Sequence, residues 1–255
     1  MAVVALMSQR GSPGTTTSAL ALAATWPLAA GRRKVLIEAD PAGGVLALRY
    51  GLPIEPGLLS LAVALRSRPN ADTLHNHVQT LPGGLDVVVA PEDPTQVESV
   101  LGQAGSRLMD LLTGLADVDV IIDLGRAQSE SVQPITNGAK ALLMVARPEP
   151  EHLIPAAQRI PLIRRPDLAW LLVGDRPYSP DEVIEASGYR VAGVIADDAR
   201  SAQAIRSGEG GDRINRGELM RSASRISSTL SNALVSPESL SRLKASRHFL
   251  RGGSK

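Results

Sequence analysis

The sequence predicts an α/β protein: a mostly parallel sheet with helices on both faces. Three observations carry that reading. Met1 to Ala30 reads as a strand, a Gly-rich turn and a helix. A second apolar run, Val35-Leu36-Ile37, follows that helix and completes a strand–helix–strand unit. Beyond it, short apolar runs alternate with helical patterns through most of the remaining chain, the signature of a sheet built from crossover connections.

Ala2 to Met7 is an apolar run suited to a strand buried on both faces. Ser8 to Gly14 carries turn chemistry, Thr15 to Ser18 offer hydroxyls to cap a helix, and Ala19 to Ala24 are good helix formers. Val35 to Ile37 form the second strand, ending in Glu38, Asp40 and a Pro-Ala-Gly-Gly turn. Val45 to Tyr50 and Leu58 to Leu65 read as helices punctuated by Gly and Pro. His75 and His77 would share one face of a strand, but no third metal ligand lies nearby, so a surface or packing role is expected. His152 and His248 are isolated and take the same reading.

Leu85 to Ala90 is a strand, and Thr95 to Leu115 is a helix whose Val97, Leu101, Leu108 and Leu112 recur at helical spacing. Val120-Ile121-Ile122 is a buried strand delivering Asp123. Strands over 140–146, 168–173 and 191–196 alternate with helices starting near Glu151 and at Ser179. Ser179 and Glu182 form a capping box, and Gly188 closes that helix. Gly208 to Gly211 read as a flexible break. Leu219, Ala223, Ile226, Leu230 and Leu234 then share one helix face, expected to pack on the sheet. Residues 1–235 are therefore expected to form one α/β domain, and residues 236–255 a basic, flexible tail.

Composition excludes several classes. The 255 residues are 44% hydrophobic and carry a net charge of +1, so no bulk charge advertises nucleic acid. The absence of cysteine excludes disulfides and Cys-based zinc sites and fits a cytoplasmic protein. Aromatics are 2%, too few for a base-stacking platform. The N-terminal apolar run has no basic segment before it, unlike a secretory signal, and no apolar stretch reaches the ~20 residues of a membrane span.

The chemistry concentrates in the first turn. A Gly-rich loop at a helix N-terminus presents unpaired N–H groups and the positive end of the helix dipole, a ready phosphate site. The run Arg10-Gly11-Ser12-Pro13-Gly14-Thr15-Thr16-Thr17 nearly matches the P-loop pattern. With Gly14 as its last glycine, Thr16 takes the Mg²⁺-binding hydroxyl position and Thr15 stands where the phosphate-binding lysine is normally found.

This loop, together with Glu38-Ala39-Asp40-Pro41 and Val120-Ile121-Ile122-Asp123-Leu124-Gly125 in that order, resembles the MinD/ParA-like deviant Walker A ATPases. Their loop reads K-G-G-x-G-K-T-T; here Arg10 replaces the signature lysine, Ser12 a glycine and Thr15 the second lysine. The resemblance extends in ordered motifs to about Arg206, including Ala196-Asp197-Asp198-Ala199 near the expected nucleotide. It implies the fold, with ATP and Mg²⁺ as cofactors. It implies that Arg10, Gly11, Ser12, Gly14, Thr15, Thr16 and Thr17 bind nucleotide. Thr16, Asp40 and Asp123 would serve the metal, and Asp40 would also organise the attacking water. Gly125 and Arg126 would begin the second switch. No asparagine occupies the adenine-reading position; Asp175 is the candidate replacement.

Two functional readings stay open. In one, the chain binds ATP–Mg²⁺ atypically, with slow or absent hydrolysis, and forms a homodimer that positions cargo in partitioning or division. In the other it is a pseudo-ATPase scaffold or localisation factor of the TadZ/CpaE-like kind, and a protein partner or cargo is implied by both. A third class, nonspecific DNA binding, rests on scattered arginines. The basic tail and the amphipathic helix before it are the candidate membrane contacts, which would make a cytoplasmic protein peripheral at the membrane or nucleoid.

Overall fold

The computed structural model describes residues 2–10, 13–67, 69–165, 167–208 and 217–235. Its strands are β1 (Val3–Ser8), β2 (Arg33–Glu38), β3 (Gln79–Thr80), β4 (Asp86–Val88), β5 (Val118–Arg126), β6 (Ala141–Ala146), β7 (Ala169–Val173) and β8 (Val191–Ile195). They form one sheet in the order β3-β4-β2-β5-β1-β6-β7-β8. Every neighbouring pair is parallel except β3–β4, a short antiparallel edge with no counterpart in the sequence reading. The helices are α1 (Thr15–Thr25), α2 (Leu46–Tyr50), α3 (Leu58–Ala64), α4 (Pro94–Gly114), α5 (Gln133–Gly138), α6 (Pro150–Ile163), α7 (Pro180–Ser187), α8 (Ala199–Arg206) and α9 (Glu218–Val235).

Alternation along the central strands sorts side chains into two cores. Val3, Ala5, Val35, Ile37, Val120 and Ile122 face α3 to α6. Val4, Leu6, Leu36 and Ile121 face α1, α2 and α9. Helices therefore cover both faces, as expected for parallel strands that read as continuous apolar runs. The predicted stripe of α9 is buried at all five positions. The helix lies close on β8, because a Cβ at Gly193 would meet Ile226 Cγ1 at 2.5 Å. It also grips α1, where the Ser227 hydroxyl donates to the Leu22 carbonyl at 3.0 Å.

Two local expectations are corrected. The residue capping α1 is Gly14, in the left-handed region at φ 98°, which has no side chain to cap the helix. Thr15 to Ser18 lie inside the helix, where their hydroxyls cannot reach back to the free N–H groups. His75 and His77 lie in one 3₁₀ turn rather than on a strand. His77 Nδ1 pairs with the Ser60 hydroxyl at 2.8 Å, and among the described residues no cluster suited to a metal ion forms from His, Cys, Asp and Glu alone. The capping box at Ser179 and the Gly188 stop of α7 form as expected. Residues 209–211 of the expected break, the tail 236–255 and His248 lie outside the described residues.

At the end of the sheet opposite the Gly-rich turn, one buried carboxylate joins three segments. Asp119 accepts from the Ala2 N–H at 2.6 Å and from the Trp26 indole N–H at 3.3 Å, and it pairs with Arg32. Asp119→Ala would leave these donors unpaired, and we expect a loss of about 3 kcal/mol in a urea-unfolding titration. A loss under about 0.5 kcal/mol, the range of an ordinary surface change, would contradict this assignment.

Candidate functional site

The parallel strands bring β1, β2 and β5 side by side, so the segments leaving their C-terminal ends converge. That is where open α/β sheets place their ligands. β1 leads through the turn into α1. Gly14 is the residue that permits this entry, since φ 98° is strained for any side chain. Gly14 offers no side-chain cap, and the first-turn residues of α1, whose N–H groups have no partner within the helix, line the cavity that opens before them. This cavity of about 240 Å³ is lined by Pro13, Gly14 and Thr15 to Thr17 from the turn, and by Asp40 and Gly125 from the neighbouring segments. Thr15 is buried, and its hydroxyl oxygen has no hydrogen-bond partner among the described residues.

The acids arrive from adjacent strands. Glu38 and Asp123 are register partners in the β2–β5 pair. Asp123 Oδ1 accepts from the Gly125 N–H at 3.0 Å, while Oδ2 is buried with no partner among the described residues. Burial raises its pKa from 3.8 to about 6, opposed by the Thr16 hydroxyl and the Gly125 N–H; the nearby Asp40 charge raises it further and Arg49 lowers it. Asp40 Oδ1 accepts from the Ala42 N–H at 2.8 Å, and burial raises its pKa also. The Asp40 carboxyl rests on Gly125, where a Cβ would come within 1.8 Å of Oδ2. Gly125 also has φ 50°, so both space and backbone demand glycine there.

Glu38 takes a different part. Its Oε1 accepts from the N–H groups of Val45 at 2.6 Å and Leu46 at 3.0 Å, and its Oε2 from Ala90 at 3.0 Å. The side chain ties the end of β2 to the start of α2 and to the segment after β4. Desolvation nevertheless raises its pKa from 4.5 to about 7, against the pull of those three N–H groups.

The structure thus gathers Gly14, Thr15, Thr16, Thr17 and Asp40 around one cavity, with Asp123 fully buried behind Thr16 and Gly125 rather than in its lining. Gly11 and Ser12 lie outside the described residues. Arg10 is exposed and does not line the cavity; Asp175 is likewise exposed and away from it. Among the described residues, three arginines that the motifs did not assign to binding line it: Arg49 from α2, Arg126 at the end of β5 and Arg206 from α8. Arg126 had a place only as the start of a switch. Arg49 had one available signal, a lone cation on the short helix following the Asp40 turn, and motif spacing gave it no weight.

The fold matches solved structures closely. A ParA family ATPase from Chlorobium tepidum TLS superposes with a TM-score of 0.74 at 18% identity, covering 89% of this chain and 98% of that one. A McdA variant from Cyanothece in complex with ATP gives 0.68 at 17% identity, covering 91% and 96%. The septum site-determining protein MinD from Pyrococcus horikoshii OT3, complexed with Mg-ADP, gives 0.63 at 14% identity, covering 90% and 95%. The chain has the ParA/MinD ATPase fold. No protein-family model matches the sequence, and no curated protein matches it. The fold thus persists where sequence similarity is slight.

The buried acids predict a pH dependence. The folded pKa of Glu38, about 7, lies above its ordinary 4.5. Its stabilising contribution is therefore complete below pH 4.5 and is lost as pH rises towards 7. Asp123, raised from 3.8 to about 6, acts in the same direction. Urea-unfolding free energies should fall by about 3 kcal/mol over pH 4.5 to 7 on account of Glu38. Glu38→Gln should flatten that part of the slope. An unchanged slope in the variant would contradict the assignment.

Proposed function

We propose that this protein is a divergent MinD/ParA-like switch that binds ATP–Mg²⁺ atypically and dimerises on it. Its role would be spatial positioning: chromosome or plasmid partitioning, division, or placement of other machinery, with a protein partner or cargo. The observation that carries this reading is a cavity lined by the start of α1, whose Gly14 cap offers no side chain, and by Asp40, with the buried Asp123 directly behind Thr16 and Gly125. The helix start suits phosphate and the acids a hydrated divalent cation.

In this reading, backbone N–H groups from Gly11 to Thr16 hold the phosphates, and Thr16, Asp40 and Asp123 hold the metal. Bound Mg²⁺ would supply charge neutralisation at the phosphate oxygens. Asp40, seated on Gly125, is positioned to orient water. Arg10 is exposed, so it is available to reach a second subunit, and a guanidinium grips phosphate with two donors. Thr15 contributes a hydroxyl without charge, so slow or absent hydrolysis is expected, because phosphoryl transfer depends chiefly on the placement of charge. Among the described residues no helix is long and apolar enough to cross a membrane. A cytoplasmic protein that associates peripherally with membrane or nucleoid is the proposed setting.

A second reading, a nucleotide-independent scaffold, is favoured by one observation: the uncharged Thr15 stands where the resemblance places the phosphate-binding lysine. Static light scattering with and without ATP–Mg²⁺ separates the two readings. The switch predicts a monomer that doubles in mass on addition of ATP–Mg²⁺ and reverts with ADP. An unchanged oligomer at millimolar ATP would favour the scaffold. Arg10→Ala should weaken ATP-dependent dimerisation while leaving the monomer's melting temperature unchanged. Equal dimerisation by the variant would remove Arg10 from that role.

A further inference from the structure

We propose that Arg49 is the cation that neutralises the bound phosphates, supplied from α2 in place of a lysine at position 15. The inference rests on the ATP-binding reading above and names the side chain that makes this loop workable.

Four observations converge on Arg49. It lines the same cavity as Thr15, Thr16 and Thr17. Its Nη1 is buried, yet hydrogen-bonds to none of the described residues. A desolvated donor of a permanent cation is costly to leave unpaired, and the side chain that carries it lines the cavity an anion would enter. Its charge reaches Asp123, favouring that carboxylate, but closes no ion pair within the described residues. Arg49 therefore retains donors for a ligand.

The fourth observation is its mounting. The start of α2 is held by the Glu38 carboxylate through the Val45 and Leu46 N–H groups. Leu46 and Ala47 are buried. Past Arg49, the Tyr50 hydroxyl donates to the Ile205 carbonyl at 2.6 Å, tying α2 to α8. A short helix fixed at both ends presents a guanidinium with little freedom left to lose on binding.

The other two arginines of the cavity fit the role less well. Both are exposed. Arg126 acts on Asp40 through its backbone N–H and its charge. Arg206 donates to Gln203 Oε1 at 2.9 Å. Arg49 alone of the three has a buried nitrogen without a partner.

The test is calorimetric titration of the full chain with ATP–Mg²⁺ and, separately, with inorganic tripolyphosphate, for wild type, Arg49→Lys, Arg49→Gln and Arg49→Ala. Thermal melts report whether each variant is folded. Arg49→Gln and Arg49→Ala should weaken both ligands by about 10- to 100-fold. Arg49→Lys should recover a substantial part, because it restores the charge without the fork. If Gln binds as well as Lys, the role is structural and the proposal fails. If wild type binds ATP and every variant binds equally, Arg49 is excluded while the ATP-binding reading stands. If wild type binds neither ligand, both fall together.

Discussion

The buried carboxylate of Glu38 is the constraint on which the cavity depends. It satisfies three N–H groups from two segments, and so fixes where the chain leaves β2, where α2 begins and where the segment after β4 passes. Asp40 lies two residues beyond it and Arg49 projects from the helix it anchors. Desolvation raises the Glu38 pKa to about 7, against the pull of those three N–H groups. The arrangement persists because the alternative is three unpaired N–H groups in the same place.

Around that junction the molecule leaves an unusual set of groups unsatisfied. The Asp123 Oδ2, Thr15 Oγ1 and Arg49 Nη1 atoms are all buried without partners among the described residues. An acceptor, a hydroxyl and a cationic donor converge on one region, and each forfeits about 1–3 kcal/mol if nothing fills it. Gln9 Oε1, His75 Nδ1, His152 Nδ1 and Arg159 Nε are also buried without partners among the described residues, whereas Asp119 and the capping box of α7 are paired. What sets Thr15, Arg49 and Asp123 apart is their place, the first two lining one cavity and the third directly behind it, an arrangement suited to a charged ligand.

Most of the fold was legible in the sequence, because buried parallel strands announce themselves as apolar runs and α9 as a clean stripe. The edge strand β3, two residues long, has no such pattern and escaped notice. The cap of α1 was misassigned because hydroxyls suggest caps, whereas a left-handed glycine makes the entry here. At the site, motif order brought Gly14, Thr16, Asp40 and Asp123 into view. Arg49 stayed hidden because its importance comes from burial and from the absence of a partner, properties that only packing reveals. Glu38 was visible as an acid, but its role as a three-way acceptor requires Ala90, which is distant in sequence.

The most direct test of the account is a crystal structure of the protein grown with ATP and Mn²⁺, with anomalous scattering used to locate the cation. The account predicts phosphates on the first-turn N–H groups of α1 and a manganese peak beside Thr16, within reach of Asp40 and Asp123. A manganese peak elsewhere, or a cavity without nucleotide at saturating ATP, would contradict it.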